Sequence, residues 1–318
     1  MQETVAPIVS VIVSSHREGY IHGLVSAFTE KVIQKVPTEI IIVADYPIDH
    51  LKKKYPHIQW LYVPDKNISK KRNVGINNAT GVYCAFIDDD CRPGDEWIPR
   101  AVSFLESNPD MAGVEGLTVI VTDDVKAGAY KEFKRLEEPG YRTNNIFYRR
   151  RLLLSVNMFD ERFTVQREDV DLAYSFIEAG YAIGYSKEIT VSHQLRKNEK
   201  WDLLKNCVNR RFDPLLFRKH KQLYRKHIRM PYPPGILSLF VAHALCIGGI
   251  ISQSKLLLLF LITDFVLLVI LTVRRSGLPW QAHGLQWFRD CAAFIVSPFV
   301  LFGALVYGST RFRSLFLI

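Results

Sequence analysis

The alternation of apolar and polar positions changes twice along the chain, and each change marks a different kind of structure. Up to residue 195, short apolar runs rich in β-branched and aromatic residues alternate with stretches at helical spacing. IVSVIVSS (residues 8–15), EIIIVADY (39–46), IQWLYVP (58–64) and VYCAFI (82–87) read as buried strands. IHGLVSAFTEKVIQKV (21–36) and ISKKRNVGINNATG (68–81) read as helices. Further on, an amphipathic helix preceded by Glu168 and Asp169 closes at Gly180 and is followed by a strand, AIGYSKEITVSH (182–193). This order predicts an α/β fold, a mostly parallel sheet with helices on both faces. Ligands of such folds bind beyond the carboxyl ends of the strands. The positions to inspect are therefore Ser14 to Glu18, Asp45 and Asp88 to Asp90.

Residues 196–234 are dominated by Lys and Arg, with Trp201, Leu204, Val208, Phe212, Leu215 and Leu216 between them. The pattern predicts one or two amphipathic helices lying on an anionic membrane surface, closed by the stiff turn PYPP. From residue 235 to 318 the chain is largely apolar. Three stretches, 235–252, 256–273 and 291–308, approach the ~20 residues needed to cross a bilayer. Two arrangements are open: three crossings, or a re-entrant or interfacial hairpin made by the first two, whose link QSK is very short. Asp264 is either a functional intramembrane acid or a group packed against a polar neighbour such as His243. With all three segments crossing and the polar part cytoplasmic, Arg274, Arg275 and Arg289 fall inside, as the positive-inside rule requires. Arg311 and Arg313 would fall outside, against that rule. The expected location is the cell membrane, multi-pass, with residues 1–195 on the cytoplasmic side.

Charge narrows the partners. The formal net charge of +9 favours an acidic partner: nucleic acid, anionic lipid or a phosphorylated small molecule. The basic, aromatic-containing stretch adjoins the apolar segments, so anionic membrane lipid is expected and nucleic acid is not. The five cysteines form no C-x-x-C pair, which suggests neither a disulfide framework nor a cysteine zinc site. The N-terminal stretch lacks a basic, apolar leader pattern.

Three adjacent aspartates, Asp88, Asp89 and Asp90, end the run VYCAFI. In an extended segment Asp88 and Asp90 point one way and Asp89 the other. Converging carboxylates at ~4 Å repel by a few kcal/mol at intermediate dielectric, and a divalent cation reverses that sign. Oxygen ligands suit Mg2+ or Mn2+. A solvated acidic turn is the bland alternative. Lys70, Lys71 and Arg72 near a helix start suit a diphosphate, with at least one lysine on a solvated face. Glu168 and Asp169 are either helix-start dipole partners or, for Asp169, a general base. His193 is either structural or the third member of an Asp/Asp/His metal set.

With these elements in order, the sequence resembles the family 2 glycosyltransferases of the GT-A fold. The pieces that carry the resemblance are VSVIVSSHRE, EIIIVADY, KKRNVGINNATGVYCAFIDDDCRP, NNIFYRRRLLLSVNMFDERF, REDVDLAYSFIEAGY and VSH, spanning residues 9–193. The resemblance implies that Ser15 and Glu18 border the nucleotide and that Asp45 meets its base. It puts Arg72 and Asn73 near ribose or diphosphate. Asp88 and Asp90 would form the D-x-D, with Asp90 the direct metal ligand and Asp88 toward ribose or metal. Asp89 joins the nucleotide-sugar residues as a supporting group. Asp169, with Glu168 in the E-D pair, would be the catalytic base. Two departures bear on the donor: the first strand ends Ser14-Ser15-His16-Arg17, and Ala44 stands where a first acid is usual.

The expected reaction is inverting transfer of a sugar from a nucleotide-diphosphate donor to a hydroxyl of a lipid-linked or cell-surface glycan, in cell-envelope polysaccharide synthesis. A polyprenyl-phosphate sugar transferase is the alternative, and the E-D pair argues against it because an ionised phosphate needs no base. No Q-x-x-R-W string of a processive synthase precedes the apolar segments. A non-catalytic nucleotide- or lipid-binding protein is the reading outside enzymes, and retention of Asp88, Asp90 and Asp169 together argues against it.

Overall fold

A computed structural model describes residues 6–28, 33, 35–121, 134–194, 201–276 and 284–314. The chain divides into two compact units, Met1–Thr122 with Phe133–Leu195, and Asp123–Glu132 with Arg196–Ile318.

The first unit is built on an eight-stranded sheet: β1 (Val9–Ser15), β2 (Thr38–Ala44), β3 (Gln59–Tyr62), β4 (Tyr83–Ile87), β5 (Cys91–Pro93), β6 (Met111–Val121), β7 (Asn145–Arg149) and β8 (Ala182–Gln194). The spatial order is β3-β2-β1-β4-β7-β6-β8-β5. β3, β2, β1 and β4 are parallel, as the alternation of strands and helices predicts. β7 then runs antiparallel between β4 and β6, β8 lies parallel to β6, and β5 runs antiparallel to β8. The sheet is thus mixed, with one half parallel and the other interrupted. The alternation did not announce β5, β6 or β7. β5 is three residues long, and β6 carries Gly113 and Gly116 at register shifts. A Cβ on Gly116 would stand 2.1 Å from the Ile189 carbonyl oxygen, so only glycine lets β8 approach there.

Helices cover both faces, and the strand period of two sorts the core between them. Val9, Val11 and Val13 face one layer, with α1 (Glu18–Ala27), α2 (Asp49–Lys54) and α4 (Trp97–Ser107). Ile12, Ile41 and Val43 face the other, with α3 (Ile68–Asn78), α5 (Arg150–Ser155) and α6 (Glu168–Glu178). The helix expected over 21–36 is seen in its first half; part of its second half lies outside the described residues.

In the second unit, the basic stretch forms three short helices, α7 (Asp202–Asn209), α8 (Asp213–Lys219) and α9 (Lys221–His227), with a 3-10 turn at Arg210–Phe212. Phe212, Leu215 and Leu216 are buried inside the unit. Three helices follow that are long and apolar enough to cross a membrane: α10 (Pro234–Ile251), α11 (Leu257–Ser276) and α12 (Gly284–Arg311). α10 and α11 make an antiparallel hairpin, in which His243 meets Asp264 and Gly235 lies under Leu271. Asp264 is therefore packed against His243, one of its two expected settings.

α12 behaves differently. Asp290 bonds Ser276 and stands 3.5 Å from Arg275 at the end of α11, and Phe294 packs on Leu239 and Leu268. Beyond Pro298 the contacts are with α10: Phe302 stacks on Phe240, and Leu301 and Leu305 pack on Ile236 and Tyr232. Asp290 near one end of α12 and Leu305 near the other thus both touch the open end of the hairpin, where α10 begins and α11 finishes. Pro298 leaves the Phe294 carbonyl without its helical donor, and the Ser297 hydroxyl donates to it instead at 3.0 Å. The neighbouring Ile295 carbonyl bonds His243 Nε2 at 3.1 Å.

Candidate functional site

The site lies beyond the carboxyl ends of β1, β2, β4 and β8. α3 is the element that organises it. Its start is capped by the Asn67 side chain, which accepts from the Lys70 amide. Its buried polar face holds the chain segment that leads to α6: Ser69 donates to the Phe163 carbonyl at 2.5 Å, and Asn73 exchanges bonds with the Phe159 backbone. Asn73 also donates to Glu161 at 3.0 Å. Glu168 and Asp169 are thereby brought beside the strand ends. Arg167, just before them, has φ 75°, a left-handed conformation that turns the chain sharply into α6.

Lys71 and Arg72 point from α3 into the acid cluster and are almost fully buried. Lys71 Nζ donates to Asp45 at 3.1 Å and to the Ser15 carbonyl at 2.9 Å. Burial lowers its pKa, against the pull of Asp45. Burial would raise Asp45, but its bonds to His16 and Lys71 outweigh that and hold it below the usual carboxylate range. Arg72 donates to Glu168 at 2.8 Å, lies 3.6 Å from Asp88, and sits over the Phe159 ring. Lys70 stays half-exposed beside Asp65, so it is the lysine on the solvated face.

The three aspartates have three settings. Asp89 is buried and accepts from the Ser15 hydroxyl at 3.0 Å and the His16 amide at 3.2 Å, tying β1 to the end of β4. Asp90 is buried 3.5 Å from His193 Nε2. Asp88 keeps 34% of its side chain exposed, yet protein walls it closely. That desolvation, opposed by Arg72 and reinforced by Asp90 and Asp89, pushes its pKa up to about 6. β5 explains how His193 arrives: Cys91 pairs directly with His193 across the antiparallel ladder. Asp90, Cys91 and His193 bring ligand atoms within 4.8 Å of one another, a set able to hold a metal ion. Cys91 carried no expectation, and only the pairing of β5 with β8 could have disclosed it.

Asp169 accepts from the Val170 amide at 2.7 Å. Desolvation, then the neighbouring Glu168 charge, pushes its carboxyl up to about 7. Glu168 Oε1 is bonded to Arg72, while its Oε2 is buried with no hydrogen-bond partner, as is Gln166 Oε1. Buried acceptors without donors are costly, and where they persist they mark strain, a catalytic role or a place for a bound water or ion. Glu18 stands at the start of α1 and pairs with His50 at 2.7 Å on an exposed face. Tyr46 was not anticipated. It bonds Ser15 at 2.7 Å, and burial pushes its phenol up to about 12, so it stays a neutral donor.

One further support escaped the sequence. Buried Glu115 on β6 accepts from the amides of Gly140, Tyr141 and Arg142, fixing the loop before β7. A lone acid in an apolar strand was its only signal.

This arrangement can bind a cation and a diphosphate at one end and receive a proton at the other. Comparison with known proteins agrees with the fold and with a glycosyltransferase. The structure superposes on a mannosyltransferase from Pyrobaculum calidifontis, solved with GDP-Man and Mn2+, with a TM-score of 0.52. That match covers 98% of this chain and 88% of the other at 16% identity. Two Haloferax volcanii proteins are related in sequence. Glycosyltransferase AglE is 24% identical over 207 residues, 60% of this chain and 68% of its own. A glucosyl-dolichyl phosphate glucuronosyltransferase is 27% identical over 220 residues, 60% of this chain and 67% of its own. The profile of glycosyl transferase family 2 matches residues 10–171, half of the chain and most of the sheet described above. By that match, and by the strand-end acids it contains, the chain belongs to glycosyl transferase family 2 and is a glycosyltransferase.

Proposed function

We propose that the protein transfers a sugar from a nucleoside-diphosphate donor to a hydroxyl of a lipid-linked or cell-surface glycan, inverting the anomeric centre, at the cytoplasmic face of a membrane. The observation that carries this reading is the division of the acids. Asp88 and Asp90 gather beside His193, while Asp169 stands apart with its carboxyl near neutrality.

A general base works best when its pKa is near the operating pH. Asp169 meets that condition and would take the acceptor's proton as the hydroxyl attacks the anomeric carbon from the face opposite the leaving diphosphate. One displacement inverts the centre. Glu168 Oε2 would accept a second hydroxyl of the acceptor. Arg72 would meet negative charge developing on the diphosphate, worth several kcal/mol in a dry site. Asp45 and Ser15 would border the nucleotide, with Lys71 and Asp89 holding them, and Asn73 would act by fixing the loop that carries Phe159. Glu18 would lie at the rim.

The donor set fits a divalent cation. Asp90 and His193 would hold it, with Cys91 within reach and Asp88, the other member of the D-x-D, alongside; the imidazole favours Mn2+ over Mg2+. When bound, the ion supplies Lewis-acid stabilisation of the diphosphate. The dolichyl phosphate in the name of one relative supports a lipid-linked acceptor. The state of Asp169 favours a hydroxyl over a phosphate acceptor, which needs no base.

Membrane placement follows the same logic. α10 and α11 would cross the bilayer, and α12 would dip in and return. Arg274, Arg275, Arg289 and Arg311 then share one face, and only Lys255 lies in the link at the other. This arrangement removes the conflict that three crossings create at Arg311 and Arg313.

The test is a screen of nucleotide-sugars with Mn2+ for protection against thermal unfolding, followed by transfer assays with the donor that protects. Protection that survives excess chelator would remove the metal from the proposal. Absence of transfer or donor hydrolysis with every protecting donor would remove catalysis.

A further inference from the structure

We propose that a cavity in the second unit binds the phosphate headgroup of a lipid. It opens between α7, the Arg210–Phe212 turn and the part of α12 beyond Pro298. Val208, Arg211, Val300, Ala304, Tyr307 and Arg311 line it, and it measures about 350 Å3. The inference rests on the membrane placement of α10, α11 and α12, and is independent of the transfer chemistry.

Two guanidiniums share this small space. Arg211 lies over the Phe212 ring at 4.9 Å. Arg311 donates to the Tyr307 hydroxyl at 2.7 Å and stands over the Phe312 ring. Among the described residues neither has a carboxylate partner, although Arg210, next in sequence, pairs with Asp213 at 3.0 Å. Two like charges in one cavity repel, and an anion between them reverses the sign. Guanidiniums with free donor edges match phosphate oxygens in two-point fashion.

The rest of the wall selects among phosphates. Val208, Val300 and Ala304 are apolar, and no lining side chain offers an amide or a carboxylate to read a base or a ribose. The cavity is therefore amphipathic: a cationic rim with a phenol beside it, and a hydrocarbon wall that continues along α12. A phosphate esterified to a long hydrocarbon fits both parts, whereas a free nucleotide leaves the wall unused. The position agrees. The cavity lies at the end of the hairpin where α10 starts and both ends of α12 emerge. Headgroups, arginines and aromatic side chains meet at that level in a bilayer.

The geometry is built into the backbone. Gly308 on α12 faces the turn so closely that a Cβ there would stand 2.1 Å from the Arg211 carbonyl oxygen. The missing side chain lets α12 press on the turn and holds Arg211 one helical turn from Arg311. Arg218 reinforces the same contact by donating to the Phe312 carbonyl.

The experiment uses the full chain in an uncharged detergent. Retention of added lipid is read by native mass spectrometry for phosphatidylglycerol, a short polyprenyl monophosphate and an uncharged diacylglycerol, with inorganic phosphate as a competitor. Both phosphate lipids should be retained and the diacylglycerol should not. The R211Q/R311Q double variant should weaken retention at least ~tenfold. R225Q, a change outside the cavity, should not. Ala304→Trp fills the hydrocarbon wall without altering charge and should also weaken retention. Preference for the polyprenyl phosphate would identify the lipid as an acceptor type, and equal affinities would identify a bilayer lipid; either supports the site. Unchanged retention in both cavity variants, equal retention of diacylglycerol, or full displacement by millimolar inorganic phosphate would overturn it. Co-flotation with anionic vesicles checks the membrane placement separately; failure of the wild-type chain to float would overturn that reading.

Discussion

The two units treat buried acid in opposite ways. At the strand ends of the first, Asp45, Asp88, Asp89, Asp90, Glu168 and Asp169 gather around Lys71 and Arg72, with Arg167 close to Asp169. Burial, together with charge that the cations neutralise only in part, makes Asp88 and Asp169 titrate high, and Glu168 Oε2 is left without a donor. In the second unit one acid, Asp264, meets one base, His243, at 2.6 Å, and the other ring nitrogen is spent on the Ile295 carbonyl. A cluster with surplus charge is incomplete and awaits a ligand. A pair with every group satisfied is finished, and holds helices together. The same side-chain chemistry therefore signals function in one place and architecture in the other.

The comparison breaks most directly at Asp169. Asp169→Asn should lower kcat for sugar transfer by ~10²–10⁴-fold, the usual contribution of a general base, with nucleotide affinity little changed. Equal rates in the variant would mean that the surplus charge near Glu168 has another purpose. Next in size is Arg72→Ala. It leaves Glu168 buried without its cation, and removal of one partner from a buried pair costs about 3–5 kcal/mol. Chemical denaturation should show that loss, together with weaker donor binding. A stability change under 1 kcal/mol would mean that water replaces the guanidinium.

pH sharpens the contrast further. A base with a carboxyl near pH 7 must be ionised to act, so kcat/KM should fall about tenfold per unit below that value. Because burial raises this pKa, the folded chain holds the proton more tightly than the unfolded chain does. Ionisation of Asp169 thus costs stability, which declines as pH rises from the ordinary carboxylate range through about 7. Asp169→Asn removes that slope, so the stability of the inactive variant relative to wild type should be greater at pH 8 than at pH 5. A wild-type rate flat from pH 5 to 8 would contradict the assignment.

The smallest effect is expected in the finished pair. Asp264→Asn should cost about 1 kcal/mol, the scale of interhelical polar contacts in membranes, and leave transfer in detergent within about twofold. A large loss of activity would show that Asp264 belongs to function after all, and would dissolve the contrast between the units.

How much of this was legible varied by element. The parallel half of the sheet was readable because each strand is a short apolar run bounded by polar residues, and α3 and α6 because their faces repeat at helical spacing. β6 was not, since Gly113 and Gly116 break the alternation that marks a strand. β5 was not, since three residues carry no period. Cys91 beside His193, the spacing of Asp88 from Arg72, and the burial of Lys71 all depend on which strands become neighbours.

The sequence alone determined the class of chemistry: acids at strand ends, an E-D pair at a helix start, and apolar segments of membrane length. These are local facts, written in composition and period. Only the tertiary structure decided which acids remain undercompensated, that β5 delivers Cys91 to His193, and that α12 returns to the end of the hairpin where it began. Those outcomes depend on contacts between residues far apart in the chain. Local period fixes what an element is, and packing alone fixes which elements meet.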